Sequence, residues 1–179
     1  PQNSFLVLNE TKVLPSRIVL KRNHIEIASS PPNRRVPRND KLTGKVTALF
    51  LVNEQMEDPK NMRVMVDRKV IIREKLFFNE KDSVEVIAQD KHLFTVKIPF
   101  GKSKLFELLE QKGMMPIPLY IKNSPLNRDE LREKYQTVFA RQNGSAAAPT
   151  ASLHFTDDVF KSLDAKHIER LFITLHVGL

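Results

Sequence analysis

The feature that most constrains this chain is a close succession of short strand-like segments at residues 45–53, 62–67, 75–78, 83–89 and 92–98. Within them side chains alternate, Val64 and Val66 against Met65 and Asp67, and Val84 and Val86 against Glu85 and Ile87. Successive residues of a strand face opposite sides, so each segment buries one face and needs partners. Short strands at this spacing, joined by polar turns such as Gln89-Asp90-Lys91, predict a small barrel or curled sheet. Residues 17–21, after Pro15, read as one more extended segment.

Either side of these strands the pattern changes. Residues 4–9 form an apolar run closed by turn-forming residues, which reads as a buried strand. Ser103 is placed to cap a helix carrying Leu105, Phe106, Leu108 and Leu109 on one stripe, with Gly113 ending it. Pro116 and Pro118 hold an extended stretch. Asn127 caps a second helix running from Arg128 toward Phe139, with Glu130 and Lys134 as an i,i+4 pair. Thr156, followed by Asp157 and Asp158, starts a third. Residues 170–177 (R-L-F-I-T-L-H-V) read as a strand buried on both faces, as in an α/β sheet. The predicted fold class is α/β plus β. A small β-barrel domain, residues 20–98, is inserted into a mixed α/β domain made of residues 1–19 and 99–179. The strand at 4–9 is expected to share a sheet with 170–177.

With 41% hydrophobic and 28% charged residues among 179, the chain can bury a core and does not have the composition of a disordered one. No apolar run reaches the roughly 18 residues of a membrane-spanning helix, and no membrane partner is expected. The absence of cysteine excludes disulfides, thiol nucleophiles and Cys-ligated metal sites. It fits a reducing compartment, so a cytoplasmic location is expected; from Pro1 onward there is no basic-then-apolar leader. The net charge is +8, and residues 12–45 hold nine basic residues against two acidic ones. Within that stretch residues 24–42 lose all hydrophobic period and carry Pro31, Pro32 and Pro37. They read as a basic insertion whose Arg34, Arg35 and Arg38 contact phosphates of a nucleic acid. The plainer reading is a solvated loop.

The densest unusual stretch runs from Tyr135 to Thr156. A helix is expected to end in a turn at Asn143-Gly144-Ser145 that aims backbone N–H groups outward. Three alanines and Pro149 keep the surface small, while Thr150, His154 and Thr156 place polar groups around Phe155. A small floor, an aromatic wall and few polar groups suit a nucleoside pocket; they serve plain helix packing equally well. Asn9 and Thr11 follow a strand end, where open α/β sheets bind ligands, or else form a simple Asx turn.

Several ordered segments carry a specific resemblance. Y-Q-T-V-F-A at 135–140, G-S-A-A-A-P-T-A-S-L-H-F-T at 144–156 and L-H-V-G-L at 175–179 resemble signatures of the S-adenosylmethionine:tRNA ribosyltransferase-isomerase (QueA) family of queuosine biosynthesis. L-V-L-N-E-T-K-V-L-P-S-R at 6–17 and M-M-P-I-P-L-Y-I at 114–121 are similar to two further segments of it. Ser152, Leu119 and Ala146 depart from the family's usual Gly, Pro and Val. The family's N-terminal segment, its G-T-F continuation after Leu179 and its C-terminal motifs do not occur here, so the chain is expected to be about half of such an enzyme.

The resemblance implies transfer and isomerisation of the ribosyl group of S-adenosylmethionine onto 7-aminomethyl-7-deazaguanine at the wobble position of tRNA, giving epoxyqueuosine. S-adenosylmethionine serves as substrate, the tRNA anticodon loop is the partner, and no metal is required. It further implies catalytic roles for His154, His176 and Tyr135. Substrate binding falls to Asn9, Thr11, Gln136, Thr137, Gly144, Ser145, Ala148, Pro149, Thr150, Phe155 and Thr156. A monomer is expected. The readings weighed against this one are an inactive fragment of the enzyme and a non-catalytic RNA-binding barrel, in which Phe77, Phe78, Phe94 and Phe100 would stack bases instead of packing a core. His24, His92 and His167 lie outside the motifs and read as surface residues. A metal hydrolase is rejected for want of an H-E-x-x-H or carboxylate cluster.

Overall fold

Alternation decides the barrel. In the computed structural model, which describes residues 4–22, 44–118, 121 and 124–178, six strands close into an antiparallel barrel. They are β3 (Arg17–Arg22), β4 (Gly44–Phe50), β5 (Asn61–Val66), β6 (Lys75–Phe77), β7 (Ser83–Asp90) and β8 (Leu93–Lys97). The order around the barrel is β3-β4-β5-β8-β7-β6, and β6 pairs back onto β3 through Lys21↔Phe77 and Arg22↔Leu76. Ile18 and Leu20, Val46, Ala48 and Phe50, Met62 and Val64, Val84 and Val86, and Phe94 and Val96 all point inward and are buried. A register shift between Val86 and Ala88 on β7 supplies the extra twist that a small closed barrel needs. The barrel strands thus run from Arg17 to Lys97. The basic insertion, with His24, Arg34, Arg35 and Arg38, lies outside the described residues.

The barrel's phenylalanines face inward or are partly covered. Phe50, Phe78 and Phe94 are buried, and Phe77 and Phe100 are half-buried. Phe78 packs on Phe50 and, edge-on, on Phe100. They leave no exposed aromatic row on which bases would stack.

Helix α1 (Gly101–Lys112) lays Leu105, Leu108 and Leu109 into the same apolar cluster as the barrel core. It begins at Phe100 and not at Ser103. Gly101 turns the chain at φ +79° and the Phe100 ring packs on Phe78, so packing sets the start without a hydroxyl cap. Helix α2 (Arg128–Lys134) opens with a full capping box between Asn127 and Glu130. Glu130 is thereby committed to the Asn127 N–H at 2.8 Å and forms no ion pair with Lys134. α2 stops at Tyr135 and does not reach Phe139, because Gln136 turns away to bond Val13. Helix α3 (Asp157–Ala165) begins at Thr156 as its acidic first turn predicts.

The remaining strands are parallel pairs that join the two ends of the described chain. β1 (Phe5–Asn9) pairs with β10 (Glu169–Ile173) in register Phe5↔Glu169 to Asn9↔Ile173, which joins segments 4–9 and 170–177 in one sheet. β2 (Thr11–Val13) pairs with β9 (Gln142–Ser145). Residues 143–145 are therefore strand, not a turn closing a helix. The expectation of a strand buried on both faces over 170–177 is also corrected. β10 ends at Ile173, and Leu171, Phe172 and Ile173 are 49%, 37% and 40% exposed, because β1 is its one partner in a two-stranded sheet. Phe172 still leans on Phe139, which also meets Phe155 and Phe160. Among the described residues no helix is long and apolar enough to cross a membrane.

One ion pair is buried in the barrel wall. The Arg22 guanidinium grips both oxygens of Glu74, at 2.5 and 2.9 Å, and also donates to the Lys69 carbonyl. Glu74 is fully buried and accepts in addition from the Ile71 N–H. Removing one partner of a buried pair strands the other charge, a loss of about 3–5 kcal/mol, whereas replacing both with apolar residues is often close to neutral. Arg22→Met alone is therefore expected to lower unfolding stability by roughly that amount. Arg22→Met with Glu74→Leu should recover most of it, as measured by urea unfolding of the two variants.

Candidate functional site

Ser145, at the end of β9, is fully buried, and its hydroxyl accepts the Val177 N–H at 2.9 Å and donates to the Ala147 carbonyl at 2.7 Å. The Ala146 N–H donates to the Val177 carbonyl at 2.9 Å. One turn of chain away, the Asn9 carboxamide bonds both the N–H and the carbonyl of Leu175, and accepts from the Thr11 N–H. Thr11 is fully buried, and its Oγ1 lies 2.8 Å from His176 Nδ1. Asn9, Thr11 and Ser145 therefore fix the segment 175–177 in place, with the His176 ring over Gly144.

On one side of this ladder is a cleft of about 570 Å³ against the outside of the barrel. Its barrel wall is a cross-strand row, Arg17 opposite Leu49 and Leu49 opposite Met65, followed by Thr47, Val66 and Asp67. Its other wall is Pro116, Ile117, Pro118, Tyr135, Ala146, Ala147 and Gly178. Each of the five sequence segments singled out above, 6–17, 114–121, 135–140, 144–156 and 175–179, contributes at least one residue to this cleft. Tyr135 is buried at the C-terminal cap of α2, packed with Val13, Met115 and Ala148. Burial pushes the Arg17 guanidinium below its ordinary pKa, and Tyr135 acts in the opposite direction.

A second cleft has a volume of about 280 Å³. His176, Gly144, Asn143, Asn53 and Lys102 are among its lining residues. Gly144 has φ +149°, and a Cβ there would stand 2.6 Å from the His176 ring. A Cβ at Gly178, which lines the larger cleft, would stand 2.5 Å from the Asn53 carboxamide of the smaller one.

The other expected site residues have different surroundings. Gln136 bonds the N–H and the carbonyl of Val13 at 2.9 and 2.8 Å. Thr137 is buried, and its hydroxyl has no partner among the described residues. Ala148 packs against Tyr135, while Pro149 leads into a 3₁₀ turn at Thr150–Ser152. Phe155 belongs to the aromatic cluster around Phe139, and Thr156 caps α3. His154 is exposed, its ring tilted against that of Phe155 with centroids 4.8 Å apart, and it lines neither cleft. His176 and His154 are thus not brought together. Arg17, Thr47 and Asp67 were not foreseen as site residues. Arg17 ends the quoted 6–17 segment, but its neighbours Leu49 and Met65 are more than 30 positions away in sequence.

Gly144→Ala combines a backbone angle that L residues resist with a side chain on the His176 ring, so a loss of about 1–3 kcal/mol is expected. The His176 ring signals should shift in the NMR spectrum of the variant while those of His92 stay in place.

The sequence matches the family described as queuosine biosynthesis protein over residues 1–179. Three curated relatives named S-adenosylmethionine:tRNA ribosyltransferase-isomerase are similar to it. The protein of Solibacter usitatus is 34% identical over 97% of this chain and 49% of its own length. That of Rickettsia bellii is 32% identical over 99% and 48%, and that of Magnetococcus marinus is 34% identical over 97% and 43%. The chain spans about half the length of the curated relatives it matches. No solved structure matches it. With that family's pattern matching residues 1–179, the chain belongs to the queuosine biosynthesis protein family.

Proposed function

We propose that the chain works in tRNA modification, as part of an enzyme that moves the ribosyl group of S-adenosylmethionine onto 7-aminomethyl-7-deazaguanine of the anticodon loop and isomerises it to an epoxycyclopentanediol, with loss of adenine and methionine. The observation that carries this reading is the convergence of all five motif segments on one apolar cleft. Ala146 and Ala147 let a flat ring approach the backbone, and Pro116, Ile117 and Pro118 form the opposing apolar wall.

The chemistry makes three demands. The sulfonium acidifies the neighbouring ribose carbon, and a base must remove its proton. Adenine leaves more readily when its leaving nitrogen is protonated or stabilised. The attacking amine must be neutral. In this proposal the Tyr135 phenol, in the cleft, serves the leaving adenine. His176, held at Nδ1 by Thr11 and lining the smaller cleft, keeps Nε2 for proton transfer. His154 is left outside the chemistry. Arg34, Arg35 and Arg38 supply phosphate contacts from the basic insertion.

Labelled S-adenosylmethionine and tRNA carrying the modified base, incubated with a protein of full family length bearing this sequence, should release adenine. His176→Ala and Tyr135→Phe are each expected to slow that release by roughly 10²–10⁴-fold, with His154→Ala near normal. Unchanged rates in the first two variants would remove both residues from the mechanism. Replacing Arg34, Arg35 and Arg38 by serine should flatten the slope of log tRNA affinity against log salt by up to about three counterion units, read from titrations at several ionic strengths.

A further inference from the structure

Arg17 is half-buried on the outer face of β3, yet among the described residues its guanidinium has neither an ion-pair nor a hydrogen-bond partner. The other arginines near the layer are occupied. Arg128 and Arg132 bond carbonyls at the end of α1, and Arg141 and Arg170 lie over aromatic rings. Arg17 faces Leu49, Met65 and the proline wall instead. A guanidinium stays charged at neutral pH, and a cation drawn out of water without a counter-charge favours any anion that can reach it. Its planar fork suits two oxygens of one carboxylate.

The cleft also lines one carboxylate. Asp67 sits two strands from Arg17 on the same barrel face, where its Oδ1 accepts the Thr47 N–H at 2.8 Å and Oδ2 lies 3.8 Å from Arg68. An apolar floor with a cation at one side and an anion at the other matches an α-amino-acid zwitterion on a short thioether chain. It suits a polyanion poorly, since Asp67 repels the phosphates that Arg17 attracts.

We propose that Arg17 is the anchor for the α-carboxylate of the methionine end of S-adenosylmethionine, with Asp67 on the ammonium side, so that the cleft selects the intact amino acid. This rests on the reading that the cleft takes S-adenosylmethionine. Arg17 is a binding and positioning residue that holds the sulfonium end while the ribose reacts.

The test compares S-adenosylmethionine with its decarboxylated analogue by ligand-observed NMR titration of a protein of full family length bearing this sequence, wild type and Arg17→Gln, with folding checked by circular dichroism. The wild type is expected to prefer the carboxylate-bearing ligand by at least about tenfold, the scale of one charge-assisted hydrogen bond. Arg17→Gln should shrink that preference to within about twofold. Arg17→Lys, which keeps the charge and loses the fork, should retain an intermediate preference, and decides the matter if the Gln variant does not fold. Equal binding of both ligands by the wild type, or an undiminished preference in the variants, overturns the assignment of Arg17 and leaves the wider reading standing. Failure of the wild type to bind either ligand overturns both. If Arg17→Gln instead flattens the salt dependence of tRNA binding and leaves the ligand preference intact, the anion is a backbone phosphate and the proposal falls.

Discussion

The arrangement depends on one buried hydroxyl. Ser145 Oγ has no access to water, and it ties Ala147 to Val177 at the place where sequence-distant strands run side by side. The barrel occupies the interval between β2 and β9, so nothing local holds those strands together. Their parallel pairing, and that of β1 with β10, must be made across most of the chain. A parallel pair is slightly less stable per residue than an antiparallel one, and closure over so many residues is slow and entropically costly. Side chains make up the difference. Asn9, Thr11 and Ser145 each bond the 175–177 segment, and Gln136 adds two bonds to Val13. Polar groups sequestered in this way are costly to leave unpaired, which makes the pairing selective as well as stable.

That dependence explains what was legible in the sequence. The barrel strands follow from period two, because each one buries alternate residues, and the expected boundaries lie within a few residues of those observed. The caps at Asn127 and Thr156 are local signals and read correctly, whereas Glu130, read as the partner of Lys134, closes the capping box on Asn127 instead. β2 and β9 are short, and their evidence is long-range. Asn143-Gly144-Ser145 has the composition of a turn, yet it is a strand because Val13 and Val177 lie beside it. Residues 170–177 are as apolar as a central strand, but hydrophobicity alone does not count neighbours. β10 has one, and Leu171 and Ile173 remain exposed.

The candidate site divides along the same line. Tyr135, Gly144 and His176 stand in segments dense enough to be noticed, and each lines one of the two clefts. Other residues of those segments serve the scaffold. Gln136 bonds backbone, Thr156 caps a helix and Phe155 fills an aromatic cluster. Sequence cannot separate the two groups, because binding and scaffolding use the same residue types at the same spacing. Arg17 is the opposite case. In sequence it is one of nine basic residues in a charged stretch, and only the row it forms with Leu49 and Met65 takes it out of water.

The position of the cleft on the barrel's outer wall has a mechanical consequence. Arg17 begins β3, and Arg22 ends it, clamped by Glu74 just before the basic insertion. One six-residue strand therefore carries a cleft residue at one end and the root of the insertion at the other. With Ile18 and Leu20 buried in the core and Arg22 bonded to both Glu74 and Lys69, that strand moves as a unit with the barrel. The clamp ties the end of β3 to the barrel wall through Glu74 and Lys69. The same rigidity keeps Arg17 in register with Leu49. A barrel so braced fixes one wall of the cleft, while the facing wall at residues 116–118 is extended chain outside the barrel.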